Sequence, residues 1–201
     1  MNVGRTVKQL MKRLNKHNIN SPELFNEHFK GTFGLHDMER QRLLAKYFKG
    51  GVYVDVGCMD SPMPALLAET HDQIYALDFA DKIIDFLAPR FPKVHYQVIK
   101  NELSLPFENE SVDYLVAGEF IEHLENPARF IEEAKRVVKK GGWIAISTPF
   151  EETISQNCIG GREHVWAFYR KDIEELLDNP EIELIKEADG RITTILAWKQ
   201  L

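Results

Sequence analysis

Four apolar runs in this chain stop in the same way, on small or acidic residues that could do chemistry. "DVGCMDS" places Asp55, Gly57, Cys58 and Met59 at the end of the first run. "ALDFAD" ends the second with Asp78 and Phe79, and "VIKNEL" ends the third with Asn101, Glu102 and Leu103. "VAGEFIEHL" ends the fourth with Glu119, Phe120, Glu122 and His123. Arg162, His164 and Tyr169 lie in a later polar stretch. A carboxylate such as Asp78 can accept both protons of a sugar diol. A glycine such as Gly57 lets a ligand come close to the backbone. A histidine such as His123 titrates near neutral pH and suits proton transfer.

The elements that must position these groups alternate. Apolar runs at 52–56, 73–78, 94–99, 112–118 and 143–147 predict strands. Helices are predicted at 62–69, with Ser61 as its cap and Pro62 first, and at 81–88. A third begins at Asn126-Pro127 and carries Phe130, Ile131, Ala134, Val137 and Val138 on its apolar stripe. Lys139 and Lys140 are expected at its C-terminal end, with Gly141 closing it. A fourth is predicted at 171–177. Strands at 181–187 and 191–198 flank Asp189-Gly190, a hairpin signal that makes this pair antiparallel. "VDYLVAG" at 112–118 is apolar enough to be buried on both faces. Such alternation predicts an α/β fold with a mostly parallel sheet between helices. Ligands bind such sheets beyond the C-terminal strand ends, at the point where strand order reverses. The polar residues above stand at those ends.

Upstream, Val7, Leu10, Met11 and Leu14 share one helical face, with Arg5, Lys8, Lys12, Arg13 and Lys16 around it. That segment is either a helix packed on the domain with a solvated basic back, or a lid or patch for an anionic partner. Ser21-Pro22 starts a further helix, and one at 36–48 ends at Gly50-Gly51. Residues 1–50 are thus read as a helical cap and 51–201 as the sheet domain, within one compact unit.

The turn after the first strand discriminates between ligands. A dinucleotide pyrophosphate calls for the three glycines of G-x-G-x-x-G. Here Gly57 stands with Met59 and Ser61, and no G-K-[ST] phosphate loop is present. S-adenosylmethionine has no phosphate. It needs one close approach, a carboxylate for its ribose diol and a slot for adenine.

The chain resembles the class I S-adenosylmethionine-dependent methyltransferases, in the type 11-like branch acting on small molecules. "VYVDVGC", "YALDFA", the block at 101–149 and "REHVWAFYRKDIEELL" carry the resemblance. It implies a Rossmann-like, doubly wound, seven-stranded sheet with an antiparallel last strand, plus N-terminal helices. It also implies site roles. Asp55, Gly57, Cys58 and Met59 would face the methionyl part and Asp78 the ribose. Phe79, Asn101, Glu102 and Leu103 would line the adenine side, and Glu119 and Phe120 the sulfonium region. Met59 stands where a second glycine is usual, and Asn101 where the branch has Asp.

His123 is either a general base for an acceptor that loses a proton or a residue fixing its loop. Glu122 is expected to be solvated or to cap a helix. The 149–169 loop, with Gly160-Gly161 as a hinge, is expected to form the acceptor site, with Arg162, His164 and Tyr169 available. Arg162 either holds an acidic substrate or pairs with an acid. Trp166 and Phe168 are read as packing residues. His17, His28, His36, His71 and His95 form no ligand pattern, and no metal is expected.

Composition bounds the rest. The chain has 201 residues, 44% hydrophobic and 28% charged, which suits one soluble domain. A net charge of −6 weighs against nucleic acid as a partner. Cys58 and Cys158 make no disulfide framework. No run is long enough to span a membrane and no signal peptide is seen, so a cytoplasmic location is expected. The expected function is methyl transfer to a small-molecule acceptor, giving S-adenosylhomocysteine. A degenerate binding module of the same fold, a methyltransferase for macromolecules and, more distantly, a nicotinamide oxidoreductase are the alternatives. Oligomeric state is open.

Overall fold

A computed structural model describes residues 38–101, 103–150, 164, 166–178, 180–186 and 192–201. The expected N-terminal helices before residue 38, the Gly160-Gly161 hinge and the Asp189-Gly190 turn lie outside the described residues. The elements run α1 (Met38–Leu44), β1 (Tyr53–Val56), α2 (Met63–Leu67), β2 (Ile74–Asp78), α3 (Asp81–Leu87) and β3 (His95–Val98). They continue with β4 (Val112–Gly118), a 3-10 turn at Ile121–His123, α4 (Pro127–Val137), β5 (Val138–Pro149), α5 (Arg170–Leu176), β6 (Glu181–Lys186) and β7 (Ile192–Lys199).

The strands form one seven-stranded sheet in the order β3-β2-β1-β4-β5-β7-β6. The pairs among the first five are parallel. β7 enters antiparallel between β5 and β6. This is the doubly wound, mostly parallel sheet with an antiparallel last strand. The order reverses between β1 and β4, so the ligand crevice of such a sheet lies over those two strand ends.

Alternation sorts the side chains onto two faces. Val54, Val56, Leu115, Ala117, Ile144 and Ile146 meet Phe130, Ile131, Ala134 and Val137 of α4 on one face. Tyr53, Tyr114, Val116, Ala145 and Ile195 meet Leu44 of α1 and Ala68 on the other. β1 is wholly buried, as a central parallel strand must be. β3, at the sheet edge, is mostly exposed. α4 starts where expected, with the Asn126 side-chain oxygen accepting from the Arg129 N–H at 3.2 Å and Pro127 following.

Two local readings are corrected. α4 ends at Val137, and Val138 already opens β5, so Lys139, Lys140 and Gly141 belong to a strand. Nonlocal bonds override the helical stop signals. Val138 registers with Val112, the Gly141 N–H donates to the Gln200 carbonyl at 2.7 Å, and Lys139 pairs with Asp113 at 2.8 Å. The other correction concerns the start of α2: Pro62 holds the N-cap position with no side-chain cap bond, while the Ser61 Oγ accepts from the Met63 N–H at 3.4 Å. The Ser61 hydroxyl also donates to Gln41 at 3.1 Å, tying the loop to α1.

Candidate active site

The turn after β1 is held in a defined shape with a single glycine. Gly57 has φ of 72°, a left-handed conformation. A Cβ there would also clash with the edge of the Phe120 ring, at its Cδ2. Gly57 therefore serves packing between β1 and the segment after β4 as well as backbone access. The Gly57 and Cys58 N–H groups donate to the Leu77 carbonyl at 2.8 and 3.0 Å, which holds the turn against β2. Met59 has φ of 44°, in the region that favours glycine. Its N–H donates to Asp78 Oδ2 at 2.8 Å. The carboxylate thus fixes a backbone that a methionine would otherwise leave.

Asp78 is the hinge of this corner. Its Oδ1 accepts from the Ala80 N–H at 2.9 Å, so one side chain joins the end of β2, the turn after β1 and the start of α3. Burial pushes its pKa up, and the backbone N–H donors pull it back. Asp55 sits beside it, 5% exposed. The Asp55 pKa is raised to about 7, chiefly by burial and also by the charge of Asp78, while a bond from Ser61 and the charge of Arg40 oppose the rise. The Cys58 thiol is buried and its pKa is likewise raised by burial.

Across the switch point, Phe120 is buried, edge-on to Phe130 at 5.3 Å and stacked with Phe79 at 6.0 Å between centroids. Phe79 itself is half-buried. Asn101, beyond β3, is exposed, and its Oδ1 accepts from the Leu103 N–H at 2.7 Å. Glu102 lies outside the described residues.

Glu119 follows β4 with φ of 53°. Its N–H donates to the Ser147 carbonyl at 2.9 Å, and the Ser147 hydroxyl donates to Glu119 Oε1 at 3.0 Å. Arg40 of α1 donates to that same hydroxyl at 3.2 Å. Arg40 and Gln41 are both buried. So α1 supplies two polar side chains to the strand ends, a contribution the sequence reading missed. Arg40, Gln41 and Leu44 share a helical stripe, but nothing in their types marks the stripe as a site wall.

Glu122 is corrected from a solvated carboxylate to one 1% exposed. It lies in the 3-10 turn with His123, and both come beside His164 from the far end of the 149–169 segment. The His123 and His164 rings meet edge to face at 4.9 Å. The returning segment is fastened to the turn: the Trp166 N–H donates to the Glu122 carbonyl at 3.0 Å, and its indole N–H to the Leu124 carbonyl at 2.7 Å. Phe168 is buried in the core, as its packing role required. Tyr169 is the N-cap of α5, its backbone N–H bonded to Asp172 at 3.0 Å. Arg162 lies outside the described residues.

Comparison with known proteins gives this arrangement relatives. Residues 54–146 match the model of the "Methyltransferase domain" family. The chain is 29% identical over 169 residues to a "Probable S-adenosylmethionine-dependent methyltransferase" of Mycolicibacterium smegmatis, covering 81% of this chain and 63% of that protein. It is 28% identical over 153 residues to the "Ubiquinone biosynthesis O-methyltransferase" of Hydrogenovibrio crunogenus, covering 67% of this chain and 64% of the relative. The chain thus spans less than two thirds of the length of these curated relatives. A methyltransferase solved in complex with the Haloferax volcanii Trm112 methyltransferase activator superposes with a TM-score of 0.71. It is 16% identical, with 88% of this chain and 98% of that one covered. That likeness concerns the fold.

Proposed function

We propose, from the premise that this chain belongs to the class I S-adenosylmethionine-dependent methyltransferases, that it moves a methyl group to a hydroxyl of a small molecule. The observation that carries the reading is the pairing across the switch point. Gly57 and Asp78 stand on one side, and Glu119, Phe120 and His123 on the other. The oxygen acceptor is suggested by the Hydrogenovibrio relative's name.

The residues fit the cofactor. A carboxylate has about four lone-pair sites, so acceptance from Met59 and Ala80 does not exhaust Asp78 for a ribose diol. Asn101 Oδ1 has a second lone pair for an adenine amino group. Phe79 offers an apolar ring beside Asp78. Glu119 and its neighbours hold the sulfonium end. When bound, S-adenosylmethionine supplies a methyl carbon on a sulfonium, from which a neutral thioether leaves. The chain then has two tasks. It must align the acceptor oxygen with that carbon, which can supply much of the acceleration. It must also let the acceptor lose its proton, to His123 or to water.

Calorimetric titration of the full chain, stripped of bound cofactor, tests the reading. S-adenosylmethionine and S-adenosylhomocysteine are expected to bind at micromolar strength, and Asp78→Ala to weaken both at least about tenfold. No binding of either ligand by the unmodified protein would overturn the proposal.

A further inference from the structure

Glu122, His123 and His164 are brought together by tertiary structure alone. One carboxylate oxygen and one nitrogen from each ring lie within 4.8 Å of one another. We propose that these three residues bind a divalent first-row transition cation at the acceptor side of the site. The inference rests on the methyltransferase reading for its role, and on the geometry alone for its existence.

The donor set has the right chemistry. Two imidazoles and one carboxylate suit Zn²⁺, Mn²⁺ or Fe²⁺, and a three-residue set leaves coordination positions open for a ligand. Ligands about 2.1 Å from a shared tetrahedral ion stand about 3.4 Å apart, so closing the set takes side-chain movements of up to about 1.4 Å between any two of them. The site is also built to last. His123 is in a 3-10 turn whose own N–H donates to the Phe120 carbonyl at 3.1 Å. His164 is held near it by the two Trp166 bonds to Glu122 and Leu124. Glu122 is buried, which keeps the carboxylate of the cluster out of bulk solvent.

Location gives the cation its task. The 3-10 turn directly follows Glu119 and Phe120, which face the proposed methyl donor. A hydroxyl oxygen of the acceptor that takes an open position is acidified by the ion. Its O–H bond breaks, the proton passes to water, and the electron pair stays on the oxygen held by the cation. The ion is neither oxidised nor reduced. His123 then acts as a ligand and not as a free base. The acceptor class narrows accordingly to phenols and vicinal diols, whose oxygens ligate hard or borderline cations.

The test uses the full chain after chelation and exchange into metal-free buffer. Zn²⁺ and Mn²⁺ are titrated by calorimetry, and S-adenosylhomocysteine binding is measured on the same samples. One equivalent is expected to bind at micromolar strength or tighter. Glu122→Gln, His123→Gln and His164→Gln should each weaken it at least tenfold, while His95→Gln, on the exposed edge strand, leaves it unchanged. Pulsed electron paramagnetic resonance of the Mn²⁺ form of the unmodified protein should show imidazole nitrogen couplings, which needs no variant to fold. Binding no tighter than millimolar, or couplings from water and carboxylate only, overturns the metal site. Loss of S-adenosylhomocysteine binding with metal binding intact would overturn the methyltransferase reading instead.

Discussion

Met59 shows how a single residue can depart from a motif without dissolving the loop. A left-handed backbone costs a non-glycine residue about 1–2 kcal/mol. The Asp78 bond to the Met59 N–H and packing of the Met59 side chain against Ala80, Ile83 and Leu87 offset it. Glycine would remove the strain and add its own entropy cost of about 0.5–1 kcal/mol. Met59→Gly is therefore expected to raise unfolding stability by about 0.5–1 kcal/mol, read from denaturant midpoints. A variant less stable than the parent would show that the methionine side chain packs well enough to outweigh its backbone strain.

At the scale of elements, the loop between β3 and β4 depends on α4. Arg136 donates to the carbonyls of Phe107 at 3.0 Å and Leu105 at 3.3 Å, and to the Asn109 side chain at 2.8 Å. It also pairs with Glu133, whose carboxylate accepts from the Leu105 N–H at 2.7 Å. The Arg136 bond holds the Glu133 pKa below the usual carboxylate range. Because Arg136 is partly exposed, solvent screens part of this network. Arg136→Ala is expected to cost about 1–3 kcal/mol and to speed amide exchange over residues 103–109. Exchange unchanged in that loop, with stability lost elsewhere, would mean that α4 does not hold it. Asn101 and Leu103 lie at the near end of the same loop, so its order bears on the proposed adenine side.

For the whole molecule, Asp55 couples stability to pH, because it is buried in the central strand β1. Its folded pKa of about 7 exceeds the ordinary carboxylate value of 3.8, so the folded state binds more protons between those values. Its contribution to stability is complete below about pH 4 and is lost as pH rises through about 7. This is opposite in sign to a salt-bridged carboxylate. Asp55→Asn removes the coupling. Without cofactor, its unfolding free energy should vary less between pH 5 and 8 than the parent's, with the two proteins differing most at pH 8. Parallel pH curves for parent and variant would remove Asp55 from the account.

Local signals were enough for much of this architecture. Periodicity and caps located most elements, because a parallel sheet writes its buried strands as apolar runs and Asn126-Pro127 acts within one turn. The same runs marked their own ends, so Gly57, Asp78, Asn101 and Glu119 were legible as a group at the strand termini. Tertiary structure alone decided what depends on partners distant in sequence. Pairing to β4 and β7 turned Lys139–Gly141 from a helix end into strand, against its local composition. Packing of α1 buried Arg40 and Gln41 beside the strand ends. Docking of Trp166 on the 3-10 turn set His164 against His123 and Glu122. His164 stands too far along the chain from Glu122 and His123 for any local sequence signal to join them. Their chemistry arises because chain closure, not spacing, brings them within reach.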